Sequence, residues 1–274
     1  MTVFQSLLLG VLQGVAEFLP ISSSGHLVLL RQLMNLARIP LLYDVLLHVS
    51  TLIVVVIVFR RRIASIFSSL WKATIAAEKR ADGAPTPPEE RENLHLSLYV
   101  VVATAVTGAV GFFLSRFEDG LFDRPQLVSL LFLVTAAFLL STLILRPSRD
   151  YLRMGIWGAA IIGLAQGIGV LPGISRAGIT ISVALLLGLD RERAGEFSFL
   201  IAIPAILGAL LLQVREAGDL LAMIDPAVVA VGFASSFCVG LVSLLLLLRL
   251  LRSGKLALFS IYLVPVAVAG LILL

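Results

Sequence analysis

Two short polar stretches interrupt an otherwise apolar sequence: "PISSSG" at 20–25 and "PGISRAG" at 172–178. Both contain Ile-Ser-x-x-Gly, and each follows a Gln-Gly pair, Gln13-Gly14 and Gln166-Gly167. The first supplies the hydroxyls of Ser22, Ser23 and Ser24, with His26 directly after Gly25; serine beside histidine offers a nucleophile and a base. The second supplies Arg176, whose planar fork suits phosphate. Gln13 and Glu17 are four apart and share a helix face, where Glu17 can hold a metal or move a proton. Helices that start at the two stretches would aim free N–H groups and a positive dipole end at an anion. Glycine at 25, 173 and 178 allows tight backbone there, and Ser175 and Thr180 add donors. The candidate set is therefore Glu17, Ser23, His26 and Arg176 for catalysis. Ser22, Ser24, Gly25, Gly173, Ser175, Gly178 and Thr180 are the candidates for substrate binding, and Gln13 with Glu17 for a cation. Two plainer readings stand beside it. A serine at a helix start is commonly an N-cap, which covers Ser22 taken singly. An Arg176–Glu17 pair can simply lock two segments together, although that leaves the serines and His26 unexplained.

The elements that must position these residues are set by composition. Of 274 residues, 59% are hydrophobic and 14% charged, against about 25% charged in a soluble domain. Apolar runs of about 17 to 22 residues, each long enough to cross a hydrocarbon core as a helix, occur at 43–59, 94–114, 126–145, 197–214, 227–248 and 256–274. This is the pattern of a polytopic membrane protein. The first segment does not read as a signal peptide, because it lacks a basic start and is interrupted by Glu17 and Pro20. Cys238 is the single cysteine, so no internal disulfide forms; within an apolar run it reads as a buried small residue. The net charge of +4 fits basic loops that set topology, not nucleic-acid binding.

Twenty of the 21 Lys and Arg residues lie in loops, and Arg176 is the exception. Loops 60–93, 146–153, 189–195 and 249–255 hold fifteen of them, and loops 31–40, 115–125 and 215–226 hold five. The richer set is therefore expected in the cytoplasm. Residues 77–92 are charged and proline-rich and read as a flexible cytoplasmic loop. Since 146–153 and 189–195 share a side, the segment between them (154–189) must be a re-entrant hairpin with "PGISRAG" at its tip. By the same logic 2–36 is a hairpin from the opposite side with "PISSSG" at its tip. Non-helical backbone is tolerated at that depth only inside protein or along a watery cavity. A shift of 153 positions superposes Gln13-Gly14 on Gln166-Gly167, and Ile21, Ser22 and Gly25 on Ile174, Ser175 and Gly178. One register step away, Asp44 matches Glu196. The expected fold is thus one all-α membrane domain, 1–274, with about six full spans. It would be an inverted-topology repeat, the first half about 1–114 and the second about 126–274.

"LQGVAEFLPISSSGHL" and "LPGISRAGITIS" resemble the two signature motifs of the undecaprenyl-diphosphate phosphatase family, the bacitracin-resistance type. The first is similar to its (E/Q)xxxE motif, here Gln13 and Glu17, followed by F-L-P-x-S-S-x-G-H. The second is similar to P-G-x-S-R-S-G-x-T. "YDVLLHVSTLIVVV" and "EFSFLIAIPAILGA" also resemble family segments, so the similarity runs nearly end to end apart from 77–92. Ala177 stands where the pattern usually has serine, and Gln13 is the less acidic option, which weakens a two-carboxylate metal site. The resemblance implies a multi-pass enzyme of the bacterial inner membrane that removes the terminal phosphate of undecaprenyl diphosphate. That reaction recycles the lipid carrier for peptidoglycan and other envelope polymers and removes the target of bacitracin. It also implies a divalent cation, Mg2+ or Ca2+, and a site open to the periplasmic or outer side. The partners implied are a polyprenyl diphosphate and membrane lipids, with a homodimer left open.

On the charges, the diphosphate would enter between the hairpin tips while its tail stays among apolar helices. Arg176 and tip N–H groups would neutralise phosphoryl charge. Ser23 is the preferred nucleophile, with His26 as its base or as the acid for the leaving group; His26 as nucleophile is the alternative. A transporter or flippase for a phosphorylated lipid is the rival class, because broken helices in inverted repeats serve carriers equally well.

Overall fold

The computed structural model describes residues 1–33, 41–79, 86–116, 124–217 and 225–273. Eleven α-helices occur among them. In chain order they are α1 (Val3–Phe18), α2 (Ser23–Leu33), α3 (Leu41–Val58), α4 (Arg60–Lys79), α5 (Pro88–Ser115) and α6 (Pro125–Ser141), which runs on into a 3-10 turn (Thr142–Ile144). There follow α7 (Tyr151–Ile168), α8 (Arg176–Leu186), α9 (Arg191–Ala217), α10 (Pro226–Arg252) and α11 (Leu258–Leu273). Among the described residues the β-contact seen is one isolated bridge between Arg149 and Leu189. The chain is an all-α polytopic membrane protein.

Four helical segments are long and apolar enough to span: Pro88–Leu114, Pro125–Ile144, Arg191–Leu211 and Pro226–Arg252. The run at 43–59 forms α3, but the chain then bends by 70° into α4, and the pair counts as one broken span at most. The run at 256–274 forms α11, 16 residues with Pro265 inside it, about 24 Å at the helical rise. Length and composition therefore give four to five spans where about six were expected. Cys238, expected to be buried, is exposed on α10. In lipid an apolar residue need not face protein, so an apolar run does not tell inside from outside. The edges of the expected 77–92 loop are helical, since α4 runs to Lys79 and α5 starts at Pro88; 80–85 lies outside the described residues.

The helices pack in a reciprocal pattern. α1 lies along α10 and α7 along α5; α3 packs on α10 and α5 on α9; α3 meets α9 and α6 meets α11. Exchanging α1 with α7, α3 with α9, α5 with α10 and α6 with α11 maps these pairs onto one another. Glycines mark the same exchange. A Cβ on Gly10 would fall 2.4 Å from the Gly232 carbonyl oxygen, and one on Gly14 2.7 Å from the Gly240 nitrogen, both on α10. On α7, a Cβ on Gly163 would fall 2.5 Å from the Ala103 oxygen of α5, and one on Gly167 2.6 Å from the Val110 side chain. Gly10 and Gly14 sit 153 positions before Gly163 and Gly167, the shift that aligns the two tips. Small residues permit the close approach by which helices associate in lipid, where burial from water supplies no drive.

The loops grouped by their basic residues do meet at one end of the bundle. Arg62 at the start of α4 donates to Glu196 at 2.8 Å and to Asn93 at 2.7 Å. Arg193 reaches Glu92 at 3.2 Å, the Tyr151 hydroxyl donates to Glu196 at 2.9 Å, and Arg252 reaches Glu192 at 2.7 Å. The described residues of 60–93 that make these contacts thus share a face with 146–153, 189–195 and 249–255. Most of 31–40, 115–125 and 215–226 lies outside the described residues.

Candidate active site

Each tip forms because its sequence stops one helix and caps the next. α1 ends at Phe18, ahead of Pro20, whose missing N–H and fixed φ cannot continue it. Ser22 then takes a positive φ of 73°, which only tight surroundings sustain for a residue with a side chain. Its Oγ accepts the Gly25 N–H at 3.3 Å, and α2 begins. α7 ends at Ile168, Gly173 adopts φ 98°, and the Ser175 Oγ accepts the Gly178 N–H at 3.1 Å to cap α8. Ser22 and Ser175 therefore both cap helices, which for Ser22 is the plainer of the two readings. Thr135 on α6 holds the second tip, accepting the Ser175 N–H and donating to the Gly173 carbonyl, each at 3.0 Å.

The tips touch. The Gly173 N–H donates to the Ser22 Oγ at 3.2 Å. A Cβ on Gly25 would lie 2.9 Å from the Gly173 Cα, and one on Gly178 3.2 Å from the Pro20 Cβ. At this junction the first-turn N–H groups of α2 and α8 have no intrahelical acceptor, so two positive helix ends converge.

Glu17 is the centre of the cluster, buried in the last turn of α1. One carboxylate oxygen, Oε1, accepts from the Arg176 guanidinium. The other, Oε2, accepts the Ser23 hydroxyl at 2.8 Å and the Gln13 amide at 3.1 Å, and His48 of α3 brings its Nε2 to 3.7 Å. Arg176 and His48 keep 23% and 36% of their side chains exposed, so the cluster opens on one side and is sealed on Glu17's. A carboxylate and a guanidinium at membrane depth persist only when paired. Here the pair also carries a hydroxyl aimed at the carboxylate.

Ser23 is paired with Glu17, not with His26 as expected. Both His26 nitrogens are engaged elsewhere: Nδ1 with the Ser22 carbonyl at 2.8 Å and Nε2 with the Tyr262 hydroxyl of α11 at 2.9 Å. Ser24 is half-buried, its Oγ 3.5 Å from that of Ser22. Thr180 is buried and donates to the Arg176 carbonyl at 2.7 Å, with the Ser198 hydroxyl against it. Its hydroxyl is thus engaged by the backbone of Arg176 and by Ser198. His48 and Tyr262 were given no role from sequence. His48 had a visible signal, one turn after Asp44 in an apolar run. Tyr262 had none, since tyrosine is ordinary in a membrane helix.

Among the described residues no group of three or more His, Cys, Asp and Glu is arranged to hold a metal. The amide oxygen of Gln13 is nevertheless buried with no hydrogen-bond partner, beside the Glu17 carboxylate. Two oxygens of that kind suit a hard cation that takes the rest of its shell from phosphate and water.

The chain matches the family model described as bacitracin resistance protein BacA over residues 6–269. It is 44% identical to a protein of Treponema denticola named undecaprenyl-diphosphatase, over 97% of this chain and 95% of that one. It is 41% identical to the undecaprenyl-diphosphatase of Korarchaeum cryptofilum over the whole of both chains. A third of that name, from Desulfatibacillum aliphaticivorans, is 40% identical over 93% of this chain and 92% of its own. With both motifs meeting at one buried carboxylate and the match running nearly end to end, this chain belongs to the bacitracin resistance protein BacA family.

Proposed function

We propose that this chain hydrolyses undecaprenyl diphosphate to undecaprenyl phosphate and inorganic phosphate, and that the junction of the two tips is where it does so. The observation that carries the site is the convergence on Glu17 of Arg176 and Ser23, from the two hairpins. Arg176 and the first-turn N–H groups that the Ser22 and Ser175 caps leave free bind the terminal phosphate and neutralise charge that builds on its oxygens. The Ser23 oxygen attacks phosphorus, its proton passes to Glu17, and the bond to the bridging oxygen breaks, releasing undecaprenyl phosphate. Glu17 passes that proton to solvent; water then attacks the phosphoserine, Glu17 takes a proton from that water and gives it to the departing Ser23 oxygen, which frees inorganic phosphate and restores Ser23. Glu17 replaces His26 as the base because it alone accepts the Ser23 hydroxyl.

A divalent cation, Mg2+ or Ca2+, would be held by Gln13 Oε1 and Glu17 and would supply further neutralisation of the diphosphate. Gln13 also keeps Glu17 oriented through its amide N–H. The reciprocal packing supports an inverted repeat of α1–α6 and α7–α11; on that reading α6 falls in the first half, where the sequence division at 126 puts it in the second. The basic face is the cytoplasmic side of a bacterial inner membrane and the site opens outward; removal of the diphosphate there accounts for bacitracin resistance. A second copy of the chain is a further partner to test by molecular mass in detergent.

A carrier or flippase would also use a site of this kind. Phosphate release by purified protein separates the readings. Wild type should release phosphate, Arg176→Ala should not, and a chelator should suppress the wild type. Equal release by both proteins would refute the site, and none from either would refute the activity.

A further inference from the structure

The geometry points to Tyr262 as a positioning residue of this site: its hydroxyl fixes His26 as the Nδ1–H tautomer, and that N–H holds the tip that aims Ser23 at Glu17. The inference rests on the reading of Ser23 and Glu17 given above.

The proton positions follow from the partners. A backbone carbonyl only accepts, so the 2.8 Å contact from His26 Nδ1 to the Ser22 oxygen requires a proton on Nδ1. In a neutral ring Nε2 then carries the lone pair, and the Tyr262 hydroxyl at 2.9 Å must be its donor. The rings are parallel within 14° with centroids 5.7 Å apart, and Phe132 of α6 tilts against His26 at 5.0 Å. His26 is thus clamped between α6 and α11, buried, while Tyr262 is 46% exposed.

What the clamp holds is the strained residue of the first tip. Ser22 has φ 73° and is the one non-glycine residue with positive φ among the described residues. Its carbonyl takes the His26 Nδ1–H and, at 3.2 Å, the His26 backbone N–H. Its Oγ takes the N–H groups of Gly25 and Gly173. Ser23 is the next residue, so the direction of its hydroxyl follows from the Ser22 peptide. His26 therefore acts through Nδ1–H on the tip, and Tyr262 selects that nitrogen.

Asparagine places its amide N–H close to where histidine has Nδ1–H, and glutamine places its own close to Nε2–H. His26→Asn should accordingly keep turnover within about tenfold of wild type, while His26→Gln and His26→Ala lose far more. Tyr262→Phe keeps the ring and loses one neutral hydrogen bond, an effect of about 3–10-fold. It should fall on kcat with KM within twofold. In the His26→Asn background the same change should have no further effect, because no Nε2 remains to be held. If Asn and Gln are equally dead, His26 is itself a reacting group and the proposal fails. It fails too if Tyr262→Phe is silent in wild type or costs as much in His26→Asn. A readout without turnover separates this from the activity. Nitrogen-15 spectra of histidine-labelled full chain, with the His26 signals assigned by their loss in His26→Asn, should show a protonated Nδ1 and a bare Nε2 whose shift moves in Tyr262→Phe. A proton on Nε2 in wild type would overturn the inference whatever the substrate.

Discussion

Ser23 and Arg176 occupy the same place in their hairpins and reach the same carboxylate. Each is the first residue of a returning half-helix, α2 or α8, and they lie 153 positions apart. Ser23 donates to Glu17 Oε2 and Arg176 to Glu17 Oε1. One half of the molecule thus brings a hydroxyl, the other a guanidinium, and the odd partner Glu17 comes from α1 alone, since its counterpart at 170 is Val170. The site is an asymmetric use of a near-symmetric frame.

Arg176→Lys should lower phosphate release by about 10²–10³-fold, the cost of a lost anion-stabilising donor. Lysine keeps the charge but has no fork to hold Glu17 and a phosphate oxygen together. Steady-state phosphate release, with elution volume and thermal midpoint to verify folding, checks it; near-normal kcat in a folded protein would refute the role.

Glu17→Gln should abolish turnover and weaken the response to added Mg2+ or Ca2+, because the base and one anionic oxygen go together. The readout is activity across a metal titration in chelator-treated protein. An unchanged metal midpoint with low kcat would leave Glu17 as base and remove it from the cation.

Much of this was legible because charge is costly in lipid. Arg176 and Glu17 stand out in apolar sequence, and two matching tips in one register fix where they meet. The partner of Ser23 was not legible. His26 is nearer in sequence, but α2 carries its ring away from Ser23, toward α6 and α11. Ser22, Ser175 and Thr180 read as ligand donors because hydroxyls look alike in sequence; only the structure shows which ones cap helices or brace Arg176. The bend after α3 was hidden too, since Phe59-Arg60 carries neither proline nor glycine.

Gly25→Ala should damage the protein more than Gly178→Ala. The new methyl at 25 would meet Phe132 at 2.7 Å and the Gly173 backbone at 2.9 Å, while at 178 it would meet Ser175 and Pro20 at 3.1–3.2 Å. Overpacking of the first kind costs about 1–3 kcal/mol and also parts the tips. The thermal midpoint and phosphate release should both fall further for Gly25→Ala, and equal effects would mean the tips do not touch as described.

Sidedness is checked in a Cys238→Ala background. Arg124→Cys caps the start of α6 at the end away from the basic face, and Ser148→Cys lies beyond the far end of α6. In intact spheroplasts an impermeant thiol reagent should label the first and not the second. Gly120, in the loop of Arg124, and Gly83, in the 60–93 loop of the basic set, lie outside the described residues and would serve as second probes. The reverse pattern would turn the site inward.

The choice of nucleophile is decided by trapping. If Ser23 attacks phosphorus, Ser23→Ala removes the atom that forms the new bond, and turnover should fall to background. A rapid quench of wild type with substrate labelled in its terminal phosphate should then leave acid-stable label on Ser23. Glu17→Gln should accumulate none, because the hydroxyl proton has nowhere to go. If His26 attacks, the label is acid-labile and lies on His26, which requires Nε2 to break from Tyr262 before each turnover. If water attacks directly, no label appears, Glu17 activates the water, and Ser23→Ala costs only about 10²–10³-fold, as for a lost hydrogen bond to the developing charge. The 2.8 Å contact between Ser23 and Glu17, with neither His26 nitrogen free, makes phosphoserine the expected species. Label on His26 would mean that the tip rearranges when substrate binds, and the clamp from α11 would then be a gate that opens and not a brace.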